Sequence, residues 1–94
     1  MKEYRVRCEW VEIKNDGKET RRMAYPINEY GSSILTTFKS YEDAYSACEK
    51  YRAYAAKYEK HNAEMRKHYP KLYMNEIRFD NFRIETREVT EWTL

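Results

Sequence analysis

Glycine, proline and cysteine are all scarce in this chain of 94 residues, which has two of each. Two glycines are too few for the usual phosphate-binding loop, in which several glycines recur at set spacings. The scarcity of glycine and proline also predicts few long flexible loops. The two cysteines, Cys8 and Cys48, do not make a disulfide framework. We expect both to be reduced, buried and packed as small residues.

Long apolar runs and a strong charge imbalance are also absent. No apolar run is long enough for a membrane-spanning helix, and the N-terminal stretch MKEYRVRCEWVEIK has no signal-peptide core. We therefore expect a cytoplasmic protein. Its 18 basic and 16 acidic residues leave a formal net charge of +2. Strong nucleic-acid binders are usually more basic, so this composition does not favour that class.

Aromatic residues are abundant. They make up 16% of the chain, and tyrosine alone supplies ten of them. With 41% hydrophobic residues, the chain is too apolar to be intrinsically disordered despite 36% charged residues. Its length predicts a single domain, residues 1–94, with one modest core. Because a deep catalytic cleft is hard to fit beside such a core, we expect a protein that is not an enzyme.

Alternation of apolar and charged residues predicts the strands. Residues 3–13 alternate, which is typical of a half-buried strand. Near Val11 the apolar residues move from even-numbered to odd-numbered positions, which predicts either a bulge or a strand end that is buried on both sides. The apolar face of this first strand comprises Tyr4, Val6, Cys8 and Trp10.

Three further strands are predicted. Asn15-Asp16-Gly17 is typical hairpin chemistry, and residues 19–27 form the returning strand, which Pro26 limits to an edge. Residues 34–38 are a short third strand or the approach to the helix. The tail from residue 76 is a strand whose parity shifts at residues 80–81. The faces predicted here are Arg21, Met23, Tyr25 and Ile27 in the second strand, and Phe82, Ile84, Thr86, Thr90, Trp92 and Leu94 in the last.

One long helix is predicted between the short strand and the tail. Ser40 is a suitable N-cap with Asp43 three residues later, and Pro70 marks the end. We therefore predict an α+β fold. A small antiparallel sheet of three or four strands carries one long helix across one face, in the order β-β-(β)-α-β.

The face of this helix changes along its length. The half from Ala44 to Ala55 is small and apolar between tyrosines, which suits packing on a sheet, whereas the half from Tyr58 to Tyr69 is polar and aromatic. About 29 helical residues span ~43 Å. A compact domain of this size is about 30 Å across. We therefore expect the helix either to break or to project beyond the sheet.

A projecting polar and aromatic face predicts a binding surface for another protein. Because residues of this face recur every seven positions, a homodimer through the C-terminal half of the helix is one possibility. Alternatively, these side chains cover the protein's own core with their hydroxyl groups in water. The predicted partner-binding residues are Tyr58, His61, Met65, His68 and Tyr69, with Tyr30 in the 29–33 loop as a secondary member.

No catalytic or metal site is predicted. His61 and His68 are seven residues apart, about 10 Å along a helix, so they cannot share one ion unaided. Cys48 lies about 20 Å from His61, too far for activation as a nucleophile. We predict no cofactor.

Nucleic-acid or nucleotide binding through the sheet is the alternative function. Arginines on neighbouring strands can gather on one face, where aromatic rings can stack on bases. However, Glu3, Glu9, Glu85 and Glu91 share those faces, which is typical of cross-strand charge pairing. The residues of this alternative are Arg5, Arg7, Lys18, Arg21, Arg22, Arg83 and Arg87.

The function predicted first is a non-enzymatic protein-interaction module that acts by occupying a surface of its partner. No motif of the sequence identifies a family. In size and style the chain is similar to the small accessory proteins or inhibitors that phages and mobile elements use to bind and block a host protein.

Overall fold

The structure, a computed structural model, describes residues 1–88 and confirms the predicted α+β class. The predicted continuation of the last strand, with Glu91 and the face at Thr90, Trp92 and Leu94, lies outside the described residues. The elements in chain order are β1 (Lys2–Ile13), β2 (Glu19–Ala24), β3 (Thr37–Phe38), α1 (Tyr41–His68) and β4 (Glu76–Glu88).

Strand β1 lies at the centre of an antiparallel sheet. Strand β4 pairs with it along its whole length on one side, from Lys2 opposite Glu88 to Ile13 opposite Glu76. On the other side, β2 pairs with residues 8–13, and the two-residue β3 pairs with Tyr4 and Arg5. Strand β2 is therefore an edge strand that ends before Pro26, as predicted.

A β-bulge in β4 explains the change of parity in the tail. The register with β1 shifts between Arg7 and Glu9, so that Asn81 and Phe82 both lie opposite Cys8. Asn81 has a φ of 53°, a left-handed conformation that asparagine tolerates better than most residues. The extra residue reverses the alternation, so Phe79 before the bulge and Phe82 after it face the same side.

The core lies between the sheet and α1. Its buried cluster comprises Cys8, Ile27, Ala55, Ile77 and Phe79. The predicted grouping of Ile27 with Arg21 and Met23 on one side of β2 is wrong, because the strand ends at Ala24 and the chain then brings Ile27 into this core.

The change of parity near Val11 reflects burial on both sides of β1. Val11 is fully buried on the face away from α1, opposite Arg21 in β2 and Arg78 in β4. The aliphatic stems of two such arginines can cover a small apolar side chain. Of the two predicted possibilities, the structure therefore shows the end that is buried on both sides.

Helix α1 is one unbroken element of 28 residues that runs the length of the sheet. At its start, Ser40 Oγ accepts a hydrogen bond from the Asp43 N–H at 3.2 Å, as predicted. The ring centroids of Tyr41 and Tyr4 are 6.1 Å apart at this end, and Arg66 lies 4.0 Å from Glu76 near the other.

The expectation that the helix breaks or projects is wrong. It assumed a rounded domain, whereas this molecule measures 49 × 23 × 17 Å. Strands of 12 and 13 residues are about 40 Å long and match the helix. No helix in residues 1–88 has the length and apolar character needed to cross a membrane.

Candidate interaction surface

Tyr58 belongs mainly to the core. Its ring centroid lies 6.2 Å from that of Trp10 and 5.7 Å from that of Phe79, in tilted and edge-to-face arrangements. The alternative interpretation, in which a tyrosine covers the protein's own core, therefore describes Tyr58. By contrast, His61 and His68 are exposed along the helix.

The C-terminal half of α1 faces the sheet through Asn62, which the seven-residue pattern of the helix places on the core-facing side, and through Glu59, which that pattern places on the outer side. Asn62 Oδ1 accepts from the Ile77 N–H at 3.3 Å, and Glu59 Oε1 accepts from the Phe79 N–H at 2.7 Å. Asn62 is buried as its place on the predicted face requires, but Glu59 is also half-buried against β4, so the helix is turned towards β4 relative to the predicted face. This rotation leaves His61 at the exposed margin of the face.

A rigid turn between β2 and β3 carries Tyr30. Asn28 Oδ1 accepts from the N–H groups of Tyr30 at 2.8 Å and Ser32 at 3.0 Å, and an isolated bridge joins Ile27 to Ser33. Gly31 has a φ of 82°, which favours glycine. The turn therefore holds Tyr30 in place although its side chain is 83% exposed.

A groove separates this turn from α1. It has a volume of about 340 Å³ and brings three of the predicted residues together, Tyr30, Tyr58 and His61. A Cβ atom built on Gly31 would lie 3.7 Å from the Tyr58 ring, so the turn approaches the helix closely at this point. We call this site the tyrosine groove; it is lined by Ile27, Asn28, Glu29, Tyr30, Gly31, Tyr54, Lys57, Tyr58 and His61.

A second exposed cluster, the apolar turn, follows the helix at residues 69–74. The Tyr69 carbonyl accepts from the N–H groups of Leu72 and Tyr73, both at 3.0 Å. Tyr69 is 53% exposed, Leu72 is 78% exposed and Met74 is 55% exposed. Tyr69 was among the predicted residues, whereas Leu72, Tyr73 and Met74 were not. The sequence did contain a signal for them, because residues 72–74 are apolar and yet belong to no predicted helix or strand that would bury them.

Basic residues surround both clusters. Met65 lies four residues after His61, and His68 lies three residues after Met65, so the three side chains are neighbours on one side of the helix. Met65 is half-buried. The last turn of α1 also carries Arg66 and Lys67. The structure therefore places His61, His68 and Tyr69 at exposed positions along one stripe of the helix, with Met65 half-buried between them, whereas Tyr30 lies on the neighbouring turn.

The arginines of the alternative function divide between two locations. The register places Arg5, Arg7, Arg21, Arg83 and Arg87 together on the face of the sheet away from α1. Arg22 instead lies on the helix side, with its guanidinium carbon 5.7 Å from the centroid of the Trp10 ring. Lys18 is exposed in the β1–β2 hairpin.

Carboxylates neutralise much of the arginine face, as the alternating charges of the strands predicted. Arg21 lies 2.7 Å from Glu19, 3.2 Å from Asp80 and 3.3 Å from Glu9. The Asn81 hydrogen bonds lower the pKa of Glu9 against an opposing desolvation effect, and Arg21 lowers it further. The face is therefore a ladder of paired charges.

Glu85 is a second carboxylate of this face that pairs with two arginines. Its two carboxylate oxygens lie 2.9 Å from Arg5 Nε and 3.3 Å from Arg83 Nε. Desolvation raises the pKa of Glu85, but the hydrogen bonds and charges of these arginines outweigh it and the net shift is downward. Arg7 is satisfied differently, since its guanidinium carbon lies 4.4 Å from the centroid of the Tyr25 ring.

The cysteines are free and buried, as expected. Burial raises the pKa of the Cys8 thiol to about 11, which outweighs the opposing charges of Arg7 and Arg83. Within the described part of the chain, no three His, Cys, Asp or Glu residues gather as a metal site would require.

Fold and surface together define an α+β protein with an exposed aromatic and basic stripe along one side of its helix. No protein-family model, curated protein or solved structure matches this chain.

Proposed function

We propose that this protein is a non-enzymatic interaction module that binds another protein through the tyrosine groove. It acts as a small accessory protein or inhibitor, of the kind that phages and mobile elements use, by occupying a surface of its partner. The observation that carries the proposal is Tyr30, which is 83% exposed on a turn that Asn28 holds rigidly beside a groove.

The physical case rests on pre-organisation. Tyrosine is enriched at protein interfaces because it offers a large apolar ring and a hydrogen-bonding hydroxyl group. A side chain on an ordered turn also loses little backbone entropy on binding. The groove beside Tyr30 can receive one apolar side chain of the partner between the turn and the Tyr54 ring.

The surrounding charge indicates the chemistry of the partner. Lys57 lines the groove, and Lys67 and Lys71 continue the basic character towards the apolar turn. A partner that combines apolar side chains with carboxylates complements this stripe. Binding there blocks the partner by covering its surface and requires no chemical step.

The test compares variants for binding to a partner isolated from the native cell. We expect Tyr30→Ala to raise the dissociation constant at least about tenfold, because a central interface tyrosine commonly contributes more than ~1.4 kcal/mol. Lys57→Glu should also weaken binding. Calorimetric titration measures both effects, and thermal unfolding verifies that each variant stays folded.

Leu35→Ala is the control, since Leu35 is another large side chain of the protein surface, 67% exposed and outside the tyrosine groove. It should bind as the natural chain does. Equal binding by Tyr30→Ala and the natural chain would contradict the proposed surface, and so would a loss of binding in Leu35→Ala. Retardation of a nucleic acid at low salt that Arg7→Ala removes would instead favour the alternative function.

A further inference from the structure

Within the described residues, β4 pairs with β1 alone, so its outer edge after the bulge has no neighbouring strand. The β1–β2 hairpin closes with a backbone hydrogen bond from the Lys14 N–H, so even-numbered residues of β1 bond to β2. Odd-numbered residues therefore bond to β4, where their partners include Arg83 and Glu85. Backbone groups alternate in direction along a strand, so those of Ile84 and Thr86 point away from β1.

Helix α1 covers this edge only before the bulge. There, Asn62 and Glu59 accept the outward N–H groups of Ile77 and Phe79. Within residues 1–88, no side chain forms a hydrogen bond to the backbone of Ile84 or Thr86. A strand edge with free donors and acceptors is a template for pairing with another strand.

A groove of about 320 Å³ lies beside the open edge, between β4 and the N-terminal half of α1. Phe82 and Ile84, both half-buried, form its apolar wall. Tyr41 and Tyr45 lie across from them with their rings stacked and the centroids 6.4 Å apart. An added strand would direct alternate side chains into this groove.

We propose that two copies of this chain form a homodimer by pairing residues 82–86 of β4 antiparallel about a twofold axis at Ile84. The two sheets then become one continuous sheet with a helix from each copy on the same face. This inference goes beyond the proposed function and uses none of the residues of the tyrosine groove.

Charge complementarity favours a second copy as the added strand. With the axis at Ile84, Arg83 of one copy lies opposite Glu85 of the other, and the same pair forms again on the other side of the axis. Directly opposite residues in an antiparallel pair are close enough to interact, and opposite charges stabilise the pairing. The new pairs extend the ladder in which Glu85 already contacts Arg5.

The backbone selects the same register independently. An axis at Glu85 would place two Glu85 carboxylates opposite each other, and it would centre on backbone groups that bond to β1. The axis at Ile84 instead aligns the outward groups of the two copies. On the helix side, the axis at Ile84 places the Ile84 side chains of the two copies opposite each other, and Phe82 of one copy opposite Thr86 of the other. Each groove therefore receives apolar atoms of the other copy.

Sedimentation equilibrium over a range of concentrations tests the homodimer. We expect a species of twice the 11.6 kDa chain mass that grows with concentration. Thr86→Pro removes an outward N–H group without removing a bond to β1, so it should stay folded and raise the dissociation constant about tenfold or more. Thr86→Ala keeps the N–H group and should dimerise as the natural chain does.

A charge exchange tests the register and does not depend on the proline variant. Arg83→Glu alone and Glu85→Arg alone each bring like charges together across the axis and should weaken self-association. A mixture of the two variants restores both opposite-charge pairs, so mixed dimers should exceed either homodimer in native mass spectrometry.

Three results would overturn the proposal. They are a monomer at every concentration, a dimer that Thr86→Pro leaves unchanged while the fold is retained, and a mixture with no preference for mixed dimers. A dimer lost in Met65→Asp but kept in Thr86→Pro would place self-association on the helix instead.

Discussion

Cys8 shows how burial sets the chemistry of a single residue in this protein. Its side chain is fully buried under α1, and its Sγ lies 3.8 Å from the Ala24 carbonyl, to which the thiol donates a weak hydrogen bond. Burial disfavours the thiolate, and the pKa rises from 9.0 to about 11. The thiol is therefore protonated and unreactive at neutral pH.

The raised pKa of Cys8 predicts a loss of stability in alkali. Above pH 9 the unfolded chain releases this proton, whereas the folded chain retains it until about pH 11. The free energy of unfolding should therefore fall between these pH values, by at most about 2 to 3 kcal/mol. Below pH 9 both states keep the proton, and Cys8 adds no pH dependence.

Urea denaturation of the natural chain and of Cys8→Ala across this range measures the contribution of Cys8. Burial also raises the pKa of Cys48 and Tyr51, but both residues are present in each chain. The difference between the two slopes therefore reports Cys8. Equal slopes from pH 9 to pH 11 would show that this thiol does not titrate as described.

At the scale of elements, the contact between α1 and the start of β4 has a polar centre. The side chain of Asn62 is buried where the helix covers the edge of the sheet, and it satisfies the Ile77 N–H. A buried N–H group without a partner costs about 1 to 3 kcal/mol. Asn62 therefore closes a strand edge that would otherwise be exposed to other strands.

Asn62→Leu should lower the free energy of unfolding by about 1 to 3 kcal/mol, because the Ile77 N–H loses its acceptor. Chemical denaturation measures this loss, and hydrogen exchange at Ile77 should become faster. His61→Leu, at the neighbouring exposed position, should change stability by less than about 0.5 kcal/mol. Equal effects of the two substitutions would argue against a special role for Asn62.

At the scale of the whole molecule, long strands and a long helix of matched length produce an elongated shape. The Cα radius of gyration is 15.6 Å, compared with ~12 Å for a compact domain of this length. Thr86→Pro, as the monomeric form, should give a radius close to the larger value in small-angle X-ray scattering at low concentration. A value near that of a compact domain would contradict the alignment of α1 with the sheet.

Elongation also decides where a second molecule can bind. Because α1 ends with the sheet, its C-terminal half rests on β4 and is not free on all sides. Among the described residues, one stripe of the helix and the turn that carries Tyr30 stay accessible, and so do the outward backbone groups of Ile84 and Thr86 in β4. The proposed partner and the proposed second copy would therefore use different surfaces.

Much of the fold was predictable because local patterns are strong in this chain. Alternation in residues 3–13, the Asn15-Asp16-Gly17 turn and the cap at Ser40 each predict an element that the structure contains. The change of parity predicted at residues 80–81 coincides with the bulge at Asn81, although the sequence pattern did not identify it as a bulge. These signals depend on residues close together in the chain.

The candidate surface was less predictable. Tyr30, Tyr58 and His61 were selected from the sequence, but their gathering in one groove depends on where the 28–31 turn packs against α1. Glu59 was assigned to the outer side of the helix, yet it bonds to β4, because an open strand edge attracts acceptors that a hydrophobic pattern does not identify. Most of the apolar turn was not predicted, because residues 69–74 show neither the helical nor the strand periodicity of apolar residues.

The sequence by itself determined the α+β class, the order of the elements, the ends of α1 and the burial of both cysteines, since propensity, capping and alternation are local properties. Only the tertiary structure decided the rotation of α1 and the matched lengths of helix and sheet. It also decided the pairing of the arginine face and which side of β4 pairs with β1. Each of these depends on contacts between residues far apart in the chain, which no local pattern encodes.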